Sequence, residues 1–73
     1  MNRLKDLRED KDMLQKDIAK LISTSQTNYS KYELEKIEIP KKVLIQLAYF
    51  YNTSVDYILG ITNETKPYPR CKK

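Results

Sequence analysis

Six consecutive residues near the middle of the chain, QTNYSK from Gln26 to Lys31, are mostly polar and include neither Gly nor Pro. The Gln and Asn amides each offer donors beside an acceptor, and the Lys offers a cation with three donors. An amide can bond N6 and N7 of adenine, and a Lys can bond O6 and N7 of guanine. The same side chains can also simply face water, as polar residues on one side of a helix usually do.

The rest of the sequence lacks the residues of most enzymes and metal sites. It has no His, a single Cys at Cys71 and no Gly-rich phosphate loop. A Cys nucleophile with its base, an internal disulfide and a zinc site are therefore not expected. We predict that the protein is not an enzyme and uses no cofactor, metal ion or small-molecule ligand.

Length and composition indicate one small domain. Of the 73 residues, 40% are apolar, which is enough for a core. No apolar run approaches the roughly 18 residues of a membrane span, and the charged stretch MNRLKDLRED argues against a signal peptide. Together with the single thiol, these features predict a cytoplasmic protein that does not contact membranes.

The positive charge is concentrated at one end. The net charge is +4, and residues 61–73 hold four Lys or Arg against one Glu, whereas the preceding sequence is nearly neutral. A basic chain hints at nucleic-acid binding, but the hint is weak here because most of the charge lies in the tail. If the nearly neutral body binds DNA, its charges must be segregated by face. We predict a domain over residues 1–62 and a basic, flexible tail over residues 63–73.

Apolar spacing predicts five helices and no strand. The predicted helices cover residues 2–10, 15–22, 26–34, a fourth segment that Pro40 opens and Asn52 ends, and residues 55–59. Ser25 and Ser54 are suitable N-caps, and Gly60 is suited to end the last helix. The polar run STSQTN at 23–28 is therefore predicted to form a tight turn between the second and third helices.

The arrangement resembles the lambda-repressor-like family of helix-turn-helix regulators, also called the Cro or xenobiotic-response-element type. The resemblance covers about residues 2–62 and is carried by RLKDLRED at 3–10, Q-x-x-I-A at 15–19, Ser25-Gln26, Tyr32-Glu33 and IPKKVLIQLAYFYNTSVDYILG at 39–60. It implies an all-α, five-helix DNA-binding domain. It also implies a transcriptional regulator, most often a repressor, that binds a specific site in double-stranded DNA as a homodimer.

The resemblance implies roles for two groups of residues at the DNA. The residues expected to read the bases are four outward residues of the third helix, Gln26, Thr27, Asn28 and Lys31. The residues expected to contact phosphates are Gln15, Lys36, Lys41 and Lys42. The three Lys residues can equally serve solubility alone.

Two further pairs follow from the resemblance. Arg8 and Glu33 match an ion pair that ties the first helix to the third. Tyr57 and Ile61 lie near the end through which family members often pair, so they are possible dimer contacts. The alternative for Tyr57 is an aromatic side chain lying partly exposed over the edge of the core.

Three positions depart from the family pattern. Ser23 replaces the Gly favoured in the turn, where a left-handed residue other than Gly costs about 1 kcal/mol. Leu14 replaces a capping residue before the second helix, and a missing cap also costs about 1 kcal/mol. Glu35-Lys36 follows Tyr32-Glu33 at a place where the family often has Gly.

A second function remains open on the same fold. The nearly neutral body and the many aromatic residues would also suit a protein-binding module, such as an antitoxin or an accessory subunit. The substitution Lys31→Ala separates the two: it should abolish specific DNA binding under the first function and leave partner binding intact under the second.

Overall fold

The computed structural model describes residues 2–67. These residues form five α-helices: α1 Leu4–Asp10, α2 Gln15–Leu21, α3 Gln26–Glu33, α4 Lys41–Phe50 and α5 Val55–Leu59. No strand occurs within this range, so the predicted all-α, five-helix fold is confirmed. None of the helices in residues 2–67 has both the length and the apolar character required to cross a bilayer.

The core takes one completely buried side chain from each helix. These five residues have no exposed surface: Leu4, Ile18, Tyr29, Leu47 and Ile58. Burying an aliphatic or aromatic side chain of this size contributes roughly 1.5–3 kcal/mol. Every helix is thus held by its own anchor in a shared core, which explains why helices of only 5–10 residues are stable here.

The turn between α2 and α3 is short and tightly bonded. Ser23 has φ 58°, in the left-handed region. It thus adopts the backbone conformation for which the family favours Gly at this place in the turn. The backbone N–H of Thr24 donates to the carbonyl of Ala19 at 2.8 Å, and Ala19 is almost fully buried. Ser25 then caps α3, because its Oγ accepts from the backbone N–H of Asn28 at 3.0 Å.

The start of α2 is only partly capped. Leu14 occupies the N-cap position with extended backbone angles, but its side chain has no acceptor to offer. In partial compensation, Oδ2 of Asp17 accepts from the backbone N–H of Leu14 at 2.9 Å. One half of a capping box is therefore present and the other half is missing.

The start of α4 differs from the prediction. Pro40 has φ −57° and ψ 146°, so its backbone is extended and it serves as the N-cap, while Lys41 is the first helical residue. The prediction that Pro40 is itself the first residue of the helix was wrong. At the other end of the fold, Ser54 caps α5 through its Oγ and Gly60 ends it with φ 81°.

A C-terminal segment, residues 61–67, follows α5 and contacts the helical body. One guanidinium nitrogen of Arg3, Nη1, donates to the carbonyl of Thr62 at 2.7 Å, and Nη2 donates to Oδ1 of Asn63 at 2.7 Å. Further along, Thr53 Oγ1 donates to the carbonyl of Thr65 at 2.7 Å. Residues 68–73 of the predicted tail lie outside the described residues, and Tyr68 and Cys71 are among them.

Candidate nucleic-acid interface

One open groove runs along the solvent side of α3, and we call it the α3 groove. The residues that line it come from α2, from α3 and from the loop after α3: Gln15, Gln26, Thr27, Ser30, Lys31, Leu34 and Lys36. Within the described part of the chain, this lining contains two Lys and no Asp or Glu. The groove therefore presents amides, hydroxyls and positive charge to a ligand, without a carboxylate that would repel an anion.

The two sides of α3 differ sharply in character. Tyr29 and Tyr32 are buried, and their rings meet edge to face with centroids 6.4 Å apart. Gln26, Thr27 and Lys31 are exposed on the other side. The helix is thus anchored by aromatic packing, and three of its four predicted base-reading residues are free to meet a ligand.

The fourth predicted base reader, Asn28, has a different environment. It is half-buried and does not line the α3 groove. Its Nδ2 donates to Oγ1 of Thr24 at 2.9 Å and to the hydroxyl of Tyr32 at 3.1 Å. The side-chain amide of Asn28 is therefore engaged within the protein.

A nearly buried ion pair lies behind the groove. Arg8 Nε donates to Glu33 Oε2 at 2.7 Å, and Arg8 Nη2 donates to Glu33 Oε1 at 3.3 Å. The side chains are only 11% and 4% exposed. Arg8 also donates to the carbonyl of Met13 at 2.9 Å, so the pair fixes both α3 and the loop before α2 against α1.

Gln15 is bound to this pair, a contact that the sequence did not predict. Its Nε2 donates to Oε1 of Glu33 at 3.1 Å. Since an amide nitrogen carries two hydrogens, one remains available for a ligand in the α3 groove. The family spacing placed Gln15 near the site, but only the folded arrangement reveals which group orients its amide.

Hydrogen bonding keeps the ion pair charged. Burial raises the pKa of the Glu33 carboxyl, but hydrogen bonds, of which the one from Arg8 has the largest effect, together with the positive charge of Arg8 outweigh burial, and the pKa ends below its ordinary value. The hydrogen bond to Glu33 likewise raises the pKa of Arg8. Glu33 is therefore an anion at neutral pH, bonded to Arg8 and Gln15, and it is not among the residues that line the α3 groove.

Of the remaining predicted site residues, all but Lys36 lie outside the α3 groove. Lys36 lines the α3 groove, whereas Lys41 and Lys42 are exposed in the first turn of α4 and do not. Tyr57 is half-buried, with the guanidinium carbon of Arg3 4.2 Å from the centre of its ring. Ile61 is 71% exposed. Of the two possible dimer contacts, Ile61 is thus the more accessible.

Comparison with known proteins gives consistent matches. Residues 4–58 match the family model described as helix-turn-helix. The uncharacterized HTH-type transcriptional regulator YobD of Bacillus subtilis is 37% identical over 65 residues, which cover 89% of this chain and 58% of that protein. The HTH-type transcriptional regulator ImmR of the same organism is 34% identical over 58 residues, covering 80% and 46% respectively.

The chain spans about half the length of these curated relatives. No solved structure gives a significant match. The region matched by the family model begins at the first residue of α1 and ends within α5, so it includes nearly all of the five-helix core. The chain therefore belongs to the lambda-repressor-like family of helix-turn-helix proteins.

Proposed function

We propose that the protein binds a specific site in double-stranded DNA and thereby regulates transcription. The observation that carries this proposal is the composition of the α3 groove, where Gln26, Thr27 and Lys31 stand beside Gln15 and Lys36 without a carboxylate. The two relatives are named as transcriptional regulators, which supports the same function. The proposal concerns this domain, since the relatives are longer.

In this mechanism α3 enters the major groove with its N-terminal residues at the base edges. Gln26 offers a donor and an acceptor for adenine, and Lys31 offers a cation for guanine O6 and N7. The methyl group of Thr27 can pack on a thymine methyl. These contacts would supply sequence discrimination.

Contacts with the phosphates would fix the register of α3 on the duplex. The free amide hydrogen of Gln15 and the ammonium group of Lys36 lie in the same groove as the base-reading residues. Lys41 and Lys42, at the start of α4, would add contacts farther along the backbone. Because Glu33 holds the Gln15 amide, this contact is oriented before DNA arrives.

We further propose that the protein acts as a homodimer and represses transcription by occupying its site. A single recognition helix contacts only a few base pairs, at about 1–3 kcal/mol for each good bidentate contact. Two subunits on half-sites about one helical turn apart roughly double that specific term. The exposed Ile61, with Tyr57 beside the C-terminal segment, is the proposed contact between subunits.

A protein-binding module is the second candidate function. It is favoured by the 62% exposure of Leu34, a large apolar side chain on the same surface as the polar residues of α3. Such a residue would suit the surface of a protein partner as well as the methyl groups of DNA. The two functions predict different results in one selection experiment.

The test is selection from a random duplex library at about 0.15 M salt, followed by sequencing of the bound DNA. We expect an enriched inverted repeat, which would establish both sequence specificity and two-fold binding. A single unrepeated motif would retain the DNA function and overturn the dimer. A folded protein that enriches no sequence would overturn DNA readout and favour the protein-binding module.

A matched pair of charge variants then tests the α3 groove itself. Lys31→Ala removes a groove cation, whereas Lys5→Ala removes an exposed cation of α1 that does not line the groove. We expect Lys31→Ala to weaken binding to the selected site by roughly 5- to 150-fold. Lys5→Ala should leave binding nearly unchanged, and equal effects of the two substitutions would contradict the groove as the binding site.

A further inference from the structure

The side-chain amide of Asn28 has already donated both of its hydrogens. One goes to Oγ1 of Thr24 at 2.9 Å and the other to the hydroxyl of Tyr32 at 3.1 Å. The backbone N–H of the same residue donates to Oγ of Ser25 at 3.0 Å. Oδ1 is therefore the only group of this side chain that remains available to a new partner.

This pattern is incompatible with bidentate readout of adenine. That readout needs an amide N–H directed at N7 and a carbonyl oxygen that accepts from N6. Asn28 would have to break a hydrogen bond to Thr24 or Tyr32 to supply the N–H. It is also half-buried and absent from the lining of the α3 groove, unlike Gln26, Thr27 and Lys31.

The two partners of Asn28 belong to different parts of the fold. Thr24 lies in the turn between α2 and α3, directly after the left-handed Ser23. Tyr32 is only 5% exposed and belongs to the core. The amide therefore bridges the turn to the core across the first turn of α3, the turn that carries Gln26 and Thr27.

We propose that Asn28 is a positioning residue, which holds the start of α3 at the angle needed for Gln26 and Thr27 to reach the bases. This inference rests on the proposed DNA function and deepens it by assigning base discrimination to Gln26, Thr27 and Lys31. Base edges are read only when donors lie within about 0.5 Å of their productive positions. Two hydrogen bonds that lock the first turn provide that accuracy.

The test compares three substitutions that each break the bridge in a different way. Asn28→Ala removes the amide, Thr24→Val replaces the first acceptor with a methyl group of similar size, and Tyr32→Phe removes the second acceptor. The measurements are affinity for the selected site, affinity for random DNA, and the sequence preference in a new library selection. All are made at a temperature where circular dichroism shows a fully folded protein.

We expect Thr24→Val and Tyr32→Phe each to weaken binding to the selected site by roughly three- to tenfold, the equivalent of about one neutral hydrogen bond. Asn28→Ala, which removes both bonds, should weaken it at least as much as either. Affinity for random DNA and the selected sequence should both stay unchanged. By contrast, Gln26→Ala should relax the preference at one base pair. A purely structural role of Asn28 would leave the ratio of specific to random affinity unchanged in the folded protein, and that result would overturn the inference.

A double variant tests whether the contacts act as one unit. We expect Asn28→Ala combined with Thr24→Val to bind the selected site no more weakly than Asn28→Ala alone, because both remove the same hydrogen bond. Additive losses would contradict the bridge. If Asn28→Ala fails to fold, the ratio of specific to random affinity is measured for Thr24→Val and Tyr32→Phe, which keep the amide and each remove one of its two hydrogen bonds. A lowered ratio in both supports the bridge, and an unchanged ratio in both overturns it.

The inference and the proposed function fail in different ways. A wild-type protein that enriches no sequence would overturn the DNA function and the role of Asn28 together. The inference alone would be overturned if the wild-type protein selects a clear site, Asn28→Ala changes the preference at one base pair, and Thr24→Val does not change it. In that case Asn28 would be a direct base reader.

Discussion

The Nε atom of Arg8 lies 2.7 Å from Oε2 of Glu33, which joins α1 to the last turn of α3. The other oxygen of the same carboxylate accepts from Gln15, the first residue of α2. Three helices thus meet at a single buried carboxylate. The stability of the fold and the orientation of a proposed phosphate contact consequently depend on the same group.

Loss of one partner of the ion pair should destabilise the fold strongly. We expect Arg8→Ala to lower the free energy of unfolding by about 3 kcal/mol, because it leaves the charge of Glu33 buried and uncompensated. Urea unfolding followed by circular dichroism measures this difference. Lys5→Ala, on the exposed side of the same helix, is the control and should change stability by less than about 0.5 kcal/mol.

The free energy of unfolding should decrease at low pH because Glu33 becomes protonated. Its pKa is lower in the folded protein than the unfolded value of about 4.3, so the folded state binds fewer protons. The stabilisation is therefore fully present above a pH of about 4.3 and is lost as the pH falls through the lower, folded pKa. Urea unfolding between pH values of about 7 and about 2.5 should show a smaller acid loss in Glu33→Gln than in the wild type. Equal losses would mean that other carboxylates dominate.

Because the N-cap of α2 lacks a side-chain acceptor, a single substitution at Leu14 should stabilise the fold. Leu14 is 57% exposed and already has the extended backbone of an N-cap residue. We expect Leu14→Ser to raise the melting temperature and to add about 1 kcal/mol of stability, by supplying the missing acceptor. Ser25→Ala is the matched opposite, because it removes the cap of α3 and should cost a similar amount. No gain from Leu14→Ser would mean that Leu14 packs favourably despite its exposure.

The left-handed turn residue offers a second test of local strain. Since Ser23 has φ 58°, Ser23→Gly should stabilise the protein by up to about 1 kcal/mol through relief of the side-chain clash. Ser23→Ala keeps the clash and should give no gain. Thermal unfolding of the two variants side by side distinguishes relief of strain from a general tolerance of small residues.

The proposed phosphate contact of Lys36 predicts a change in salt dependence. We expect Lys36→Ala to reduce the slope of log affinity against log salt concentration by about 0.9, the amount that one neutralised phosphate contributes. The equally charged Lys5 is the control, and Lys5→Ala should leave the slope unchanged. Fluorescence anisotropy with the selected duplex at several salt concentrations measures both slopes, and an unchanged slope for Lys36→Ala would remove that residue from the interface.

Much of the fold could be predicted because its signals are local. Ser25 and Ser54 each cap a helix through their own hydroxyl, and Gly60 adopts the left-handed angle that ends α5. These residues act on backbone groups within a few positions, so the sequence alone contains the whole interaction. The bounds of the helices differ by a residue or two, as is usual for helix ends.

The parts that could not be predicted depend on distant neighbours or on the exact direction of a side chain. The sequence identified Asn28 as polar and outward from its helical period. Only the folded chain brings the Tyr32 hydroxyl and Thr24 close enough to take both amide hydrogens. Similarly, no local pattern marks Arg3 as a donor to carbonyl groups near the other end of the domain.

The contacts of Arg3 also bear on how the domain is made. Arg3 and Thr62 are 59 positions apart, yet a hydrogen bond of 2.7 Å joins them. A growing chain emerges from the ribosome with Arg3 early and Thr62 late, so this bond cannot form until synthesis has passed α5. Contacts between residues far apart in sequence are associated with slower folding of small domains. The bonds of Arg3 to the C-terminal segment can therefore close the domain only after Thr62 and Asn63 have left the ribosome.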